Sequence, residues 1–94
     1  MANVMVVVPP AIRSFVDGRS RIEVVATTLL EALKALEDSA SSGALRGRLF
    51  DETNAVNRFI RVFIDGRQVA TASAGQVSLA EGSEVNVLLA LAGG

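Results

Sequence analysis

The residues with the most chemical potential stand at the end of the sequence. Leu91-Ala92-Gly93-Gly94 follows an apolar run that reads as a β-strand, so the last functional group is expected to be a carboxylate on two residues without side chains. A carboxylate is a poor acyl donor, because its charge is delocalised and its leaving group would be oxide, so chemistry at Gly94 requires prior activation. Stretched out, residues 90–94 reach about 17 Å from the body of a domain, enough to thread a partner's channel. Gly93 and Gly94 lack Cβ atoms and let a backbone or a nucleotide approach closely. The other candidates are weak. The chain has no cysteine, histidine, tryptophan or tyrosine, and its one lysine is Lys34. Ser14, Ser73 and Ser78 have no histidine to serve as base, which argues against an enzyme using a serine nucleophile. Zinc, haem and iron–sulfur centres lack their usual ligands, and no metal or bound cofactor is expected. Lys34 reads as solvated, and Arg46 and Arg48 as ordinary surface charges.

These groups belong to a chain of 94 residues, 50% of them apolar, which suits one domain over residues 1–94 with a tail at 90–94. Nine basic and ten acidic side chains nearly cancel and are interspersed. That pattern lacks the basic stripe that neutralises phosphates, so nucleic acid is not an expected partner. The apolar run Val4-Met5-Val6-Val7-Val8 is cut by Pro9-Pro10, too short for a signal-peptide core or a membrane span. No membrane role is expected, and the chain reads as cytoplasmic.

The elements that must position the tail follow from local patterns. Residues 4–8 are β-branched and end at two prolines, which remove ladder donors, so they read as a first strand. After Asp17-Gly18, residues 21–26 alternate in part and read as a second strand turning back beside the first. Thr28 with Glu31 three residues on forms a capping box, and Leu29, Leu33 and Leu36 recur at helical spacing, which predicts a helix over 29–40. Ser39-Ala40-Ser41-Ser42-Gly43 closes it. Residues 45–50 suggest another short helical turn before a polar stretch at 51–57. Residues 58–64 predict a strand, and Asp65-Gly66 a tight hairpin turn into Arg67-Gln68-Val69. Ala80-Glu81-Gly82-Ser83 is a further turn, and residues 85–91 a last strand.

One helix between pairs of strands can bury its leucine stripe against one face of a mixed sheet of four to five strands, an α+β arrangement of the β-grasp kind. With that order, Glu81-Gly82-Ser83-Glu84-Val85 leading into the last strand and Ala92-Gly93-Gly94 at the end resemble the ubiquitin-like sulfur carriers. These are the small carriers of molybdopterin, thiazole and cysteine biosynthesis. Val8-Pro9 after the first strand and Arg58-Phe59-Ile60-Arg61-Val62-Phe63-Ile64 before the hairpin resemble the cysteine-pathway type most. The segment 39–57 is longer than the shortest thiazole-type carriers have.

The resemblance implies a protein co-substrate in place of an enzyme. A partner adenylating enzyme would use ATP to convert the Gly94 carboxylate to an acyl-adenylate, and a sulfur donor would displace AMP to leave a thiocarboxylate. A biosynthetic enzyme would then accept the sulfur, with cysteine or a sulfur-containing metabolite as product. A sulfurtransferase or a metalloprotease are further partners the resemblance suggests. The competing expectations are a ubiquitin-like modifier joined to lysines through Gly94, a molybdopterin-synthase small subunit, and a β-grasp binding module acting through its sheet.

Recognition is expected on the sheet face away from the helix. Along 58–64, period-two alternation puts Ile60, Val62 and Ile64 on one side and Phe59, Arg61 and Phe63 on the other. If Val4, Val6, Val8, Val85 and Val87 also face the helix, then Met5, Val7, Phe59, Phe63 and Leu88 form an apolar docking patch flanked by Arg61.

Overall fold

Two β-branched segments far apart in sequence form the centre of the structure. The computed structural model describes residues 1–40, 43, 45 and 47–89. Within them β1 (Ala2–Val7) lies parallel to β5 (Glu84–Leu89), with Val6 opposite Val85. Strand β2 (Arg21–Ala26) returns antiparallel to β1, with Val4 facing Val24 across the ladder. On the other side β3 (Ile60–Ile64) runs antiparallel to β5 and forms a hairpin with β4 (Arg67–Val69). The sheet order is β2-β1-β5-β3-β4.

The expected mixed sheet on one main helix is therefore what the chain adopts, and the parallel central pair explains why residues 4–8 and 85–89 read as nearly continuous apolar runs. Asp65 and Gly66 both hold positive φ, 50° and 88°, as a tight hairpin turn with right-handed strand twist requires.

Helix α1 (Leu29–Ser39) starts where the capping box places it. The Glu31 N–H donates to Thr28 Oγ1 (3.3 Å), and Glu31 Oε1 accepts from the Thr27 N–H (2.7 Å). Leu29, Ala32, Leu33 and Leu36, at spacings of three and four, are buried against the sheet. From the sheet come Val4, Val6, Ile60, Val62, Val85 and Val87, all buried. Val8 just beyond β1 is buried as well. Leu45, Leu49 and Phe50 of the middle segment also belong to this core, so that segment is apolar packing and more than a polar connection.

Several boundaries differ from the sequence expectation. β1 begins at Ala2 and ends at Val7. α1 ends at Ser39 with Ala40 as its cap. β3 begins only at Ile60. Ahead of β3, the Phe59 N–H donates to Asn57 Oδ1 (3.1 Å), so a local turn occupies Arg58 and Phe59 and keeps them out of the ladder. Two short 3₁₀ elements, Pro10–Val16 and Thr71–Gln76, were not predicted. The first seals one end of the core with Ile12 and Val16, the second with Ala74. The expected turn over 45–50 is described only in part.

Two exposed carboxylates organise loops. Asp51 Oδ1 accepts from Thr53 Oγ1 (2.6 Å), from the Thr53 N–H (2.8 Å) and from the Ala55 N–H (3.2 Å), and these bonds, led by that from the Thr53 hydroxyl, hold its carboxyl below the ordinary value. Glu81 accepts from the Asn3 N–H (2.9 Å) and Asn3 Nδ2 (3.1 Å), which lowers its carboxyl too, the backbone bond most.

Candidate functional site

Strand β5 is described as far as Leu89, and residues 90–94 follow it in the sequence. Gly94, Gly93 and Ala92, the expected reactive group and its tail, lie outside the described residues, as does Arg46. What the structure defines is the platform they depart from. Leu89 pairs with Ile60 and Leu88 with Arg61, so the last described residues of β5 lie beside the entrance of β3, whereas β1 pairs with β5 only over residues 84–86. Because β1 is parallel to β5, the close of β1 and the Pro10–Val16 turn lie at this same end.

The outer face of the sheet carries most of the expected docking residues. Met5 and Val7 alternate with buried Val4 and Val6 and are half-buried, as is Phe63, while Leu88 is 43% exposed and Arg61 is exposed. The inward set is Ile60 and Val62, with Ile64 half-buried against the core. Phe59 is half-buried outside β3, its ring under the Arg58 guanidinium at 5.1 Å. It is therefore a neighbour of the strand face and not a member of it.

The patch is not continuously apolar, which corrects the expectation. Asn86 is opposite both Val7 and Phe63 and so stands between them, and Glu84 is opposite Met5. The alternation that turns Val85 and Val87 inward carries the signal for Asn86 outward. Val25, 55% exposed on β2, is an apolar residue of this face that the sequence reading did not single out, because 21–26 alternates only in part. Arg21 Nη2 reaches across β1 to Glu84 Oε2 at 2.7 Å, the one ion pair among the described residues. With both side chains about half exposed, such a pair contributes only about 0–1 kcal/mol.

The lower half of the face, where β5 begins, holds Glu23, Glu84 and Asp65; the half from which the tail departs holds arginines. The remaining surface offers no catalytic grouping among the described residues. One groove on the helix side is lined by Leu30, Val56, Arg58, Thr71, Ala74 and Gly75, and another by Glu37, Phe50, Asp51 and Glu52. Neither joins a nucleophile to a base. No group of three or more metal-ligating side chains occurs among the described residues, and no helix among them is long and apolar enough to cross a membrane. Lys34 is exposed, with Nζ 4.9 Å from the Phe50 ring centroid, a contact the sequence did not signal.

No family model matches the chain, and no curated relative is found by sequence. Solved structures do match it. A chain of the Amycolatopsis orientalis BexX/CysO complex is 26% identical over 97% of this chain and 99% of that one, with a TM-score of 0.80. CysO of Mycobacterium tuberculosis is 24% identical over 95% of this chain and 100% of its own, with a TM-score of 0.78. The small archaeal modifier protein 1 of Methanosarcina acetivorans is 21% identical over 100% of this chain and 98% of its own, with a TM-score of 0.81. At these identities the second and third show the fold alone. All three share this chain's fold over nearly its whole length. With sheet order, helix and full-length likeness in agreement, the chain is a ubiquitin-like β-grasp protein that resembles the sulfur-carrier family, CysO among its members.

Proposed function

We propose that the chain is a sulfur carrier, one domain over residues 1–94, whose Gly94 carboxylate cycles to a thiocarboxylate in the cytoplasm. A carboxylate oxygen attacks the α-phosphorus of ATP on a partner activating enzyme, and pyrophosphate leaves. Hydrosulfide, as the sulfur donor, then attacks the acyl carbon of the adenylate, the C–O bond to AMP breaks with its electron pair on the departing AMP, the S–H proton goes to solvent, and a thiocarboxylate remains. Its sulfur is a soft, polarisable nucleophile, suited to transfer onto an activated carbon of a biosynthetic intermediate. In this reading the protein holds no cofactor of its own and supplies reach and recognition, through Gly93, Gly94, Ala92 and the outer-face residues Met5, Val7, Phe59, Arg61, Phe63 and Leu88.

The observation that carries the reading is the fold itself. A central strand precedes the diglycine in the sequence, in a structure similar to a chain of the BexX/CysO complex over nearly its whole length. Cysteine or a sulfur-containing metabolite is the proposed sink. The test is the intact mass of protein isolated from its native cells without added thiols, with fragmentation of the C-terminal peptide. Exchange of one oxygen for sulfur at Gly94 is the expected result; an ordinary carboxylate there, even after incubation with the activating enzyme, ATP and sulfide, overturns it. The likeness to small archaeal modifier protein 1 favours a second reading, conjugation through Gly94 to lysines of other proteins. That reading predicts isopeptide-linked products bearing the Gly-Gly remnant.

A further inference from the structure

Five arginines gather at the end of the molecule from which the tail departs, and the described residues give none of them a carboxylate partner. Each is held by neutral groups. Arg13 Nε donates to the Val8 carbonyl (3.0 Å) and Arg19 Nε to the Val16 carbonyl (3.1 Å), both in the loop that follows β1. The Arg48 guanidinium lies 4.7 Å from the ring centroid of Phe15 in that loop, and the Leu49 carbonyl next to it accepts from the Asn57 N–H ahead of β3. Arg58 covers the Phe59 ring, and Arg61 Nη1 donates to the Arg58 (2.7 Å) and Ile60 (3.3 Å) carbonyls. Strand order puts the two groups on either side of β5: β1 and its loop flank it on one side, the entrance of β3 on the other.

The arrangement is selective. Arg21, at the start of β2, is the arginine that a carboxylate neutralises. Arg67 stands at the opposite end of the sheet, near Asp65 and Glu84, where β3 turns into β4. Asp17 is the carboxylate that the first loop brings to the tail end, and it forms no ion pair with the described residues. Glu37, Asp51 and Glu52 line one groove on the helix side, and Arg58 lines the other groove there. A chain with a net charge of −1 thus presents a collar of fixed positive charge around the base of its tail. Guanidiniums held by carbonyls and rings keep their remaining N–H donors free and lose little side-chain freedom when a planar acceptor arrives.

We infer that this collar docks against a ring of aspartate and glutamate side chains around the mouth of the activating enzyme's tail channel. The inference rests on the carrier reading, which supplies a partner that must admit the tail. Carboxylates at that mouth would repel the unactivated Gly94 carboxylate unless cations on the carrier screened them on approach. The collar therefore both orients the domain and carries a negatively charged tail past a negatively charged rim.

The test uses the full-length protein and the enzyme purified from the same cells by its formation of AMP and pyrophosphate from ATP in the presence of this protein. The rate of AMP formation is followed against carrier concentration at low salt and at about 0.5 M salt, where exposed charges are screened. The double variant Arg58→Glu/Arg61→Glu is expected to lose roughly ten- to a hundredfold in kcat/KM at low salt with kcat retained, and the gap should close at high salt. Arg67→Glu, with the same charge change at the other end, should stay within about twofold of wild type. Arg58→Gln/Arg61→Gln, with its melting temperature, separates lost charge from lost folding. It should show an intermediate defect that salt also removes. A wild-type rate indifferent to salt, or equal losses in the Arg58/Arg61 and Arg67 variants, overturns the collar while leaving the carrier intact. No adenylation of the wild type at either salt overturns the carrier reading and, with it, the assigned partner.

Discussion

Phe63 stands opposite Asn86 on one neighbouring strand and Gln68 on the other, half-buried on the face away from the helix. Its ring contributes little to the closed core that Ile60 and Val62 enter on the reverse side. Phe63→Asp is therefore expected to cost about 1 kcal/mol in urea unfolding, within the range of surface substitutions with some packing. If this face docks a partner, the same change should weaken carrier binding by tenfold or more, as loss of an aromatic anchor does. A collapse of cooperative unfolding instead would make Phe63 core. The sequence made this residue legible because strand alternation is strict: once Ile60 and Val62 face inward, Phe63 faces out. It failed at Phe59, where the Asn57 side chain captures the Phe59 N–H and delays the strand by two residues. It also failed to take the same alternation one strand over, to Asn86, which divides the apolar patch. Gly94, the residue on which the proposed chemistry turns, lies outside the described residues.

Elements whose signals are local were read well. Helix α1 begins at Leu29 because the Thr28 hydroxyl accepts from the Glu31 N–H and the Glu31 carboxylate accepts from the Thr27 N–H, and the hairpin turns at Asp65-Gly66 because both residues accept positive φ. Thr28→Ala leaves the Glu31 N–H without its cap and is expected to lower stability by about 1 kcal/mol in chemical denaturation, with the fold and the tail chemistry unchanged. Leu33→Ala, by contrast, empties a fully buried site and should cost about 2–5 kcal/mol. The 3₁₀ elements escaped notice for a physical reason. Pro10–Val16 and Thr71–Gln76 are too short for a period to establish itself, and the second is built from small residues whose burial depends on neighbours far along the chain. Leu45, Leu49 and Phe50 were placed in a short turn, yet nothing local announced that they belong to the main core.

At the scale of the whole molecule the fold depends on joining residues distant in sequence. The turn before β5 is fastened to the start of β1: Glu81 accepts both donors of Asn3, the Gly82 N–H donates to the Asn3 carbonyl (2.8 Å), and the Met5 N–H to the Ser83 carbonyl (2.9 Å). Hydrogen bonds to the ionised form hold the Glu81 carboxyl below its ordinary value of 4.5. A carboxyl lowered by folding contributes stability in full above that ordinary value and loses it as pH falls through the lower, folded value. Glu81→Gln should therefore have a shallower acid limb in a stability-against-pH profile, with wild type and variant converging at low pH. Parallel limbs would exclude this clamp as a source of acid sensitivity. Strand order, unlike strand position, leaves no local trace, and the observed order agrees with the likeness to solved structures.

The parallel pairing of β1 and β5 also has a mechanical meaning. β5 lies between β1 and β3 and is hydrogen-bonded to both. A pull applied beyond Leu89, such as an enzyme exerts when it grips a threaded tail, loads both ladders in shear, so that many hydrogen bonds must yield together and none can be peeled off singly. Tension is thus carried straight into the middle of the sheet, and the body of the protein serves as a stopper at the channel mouth.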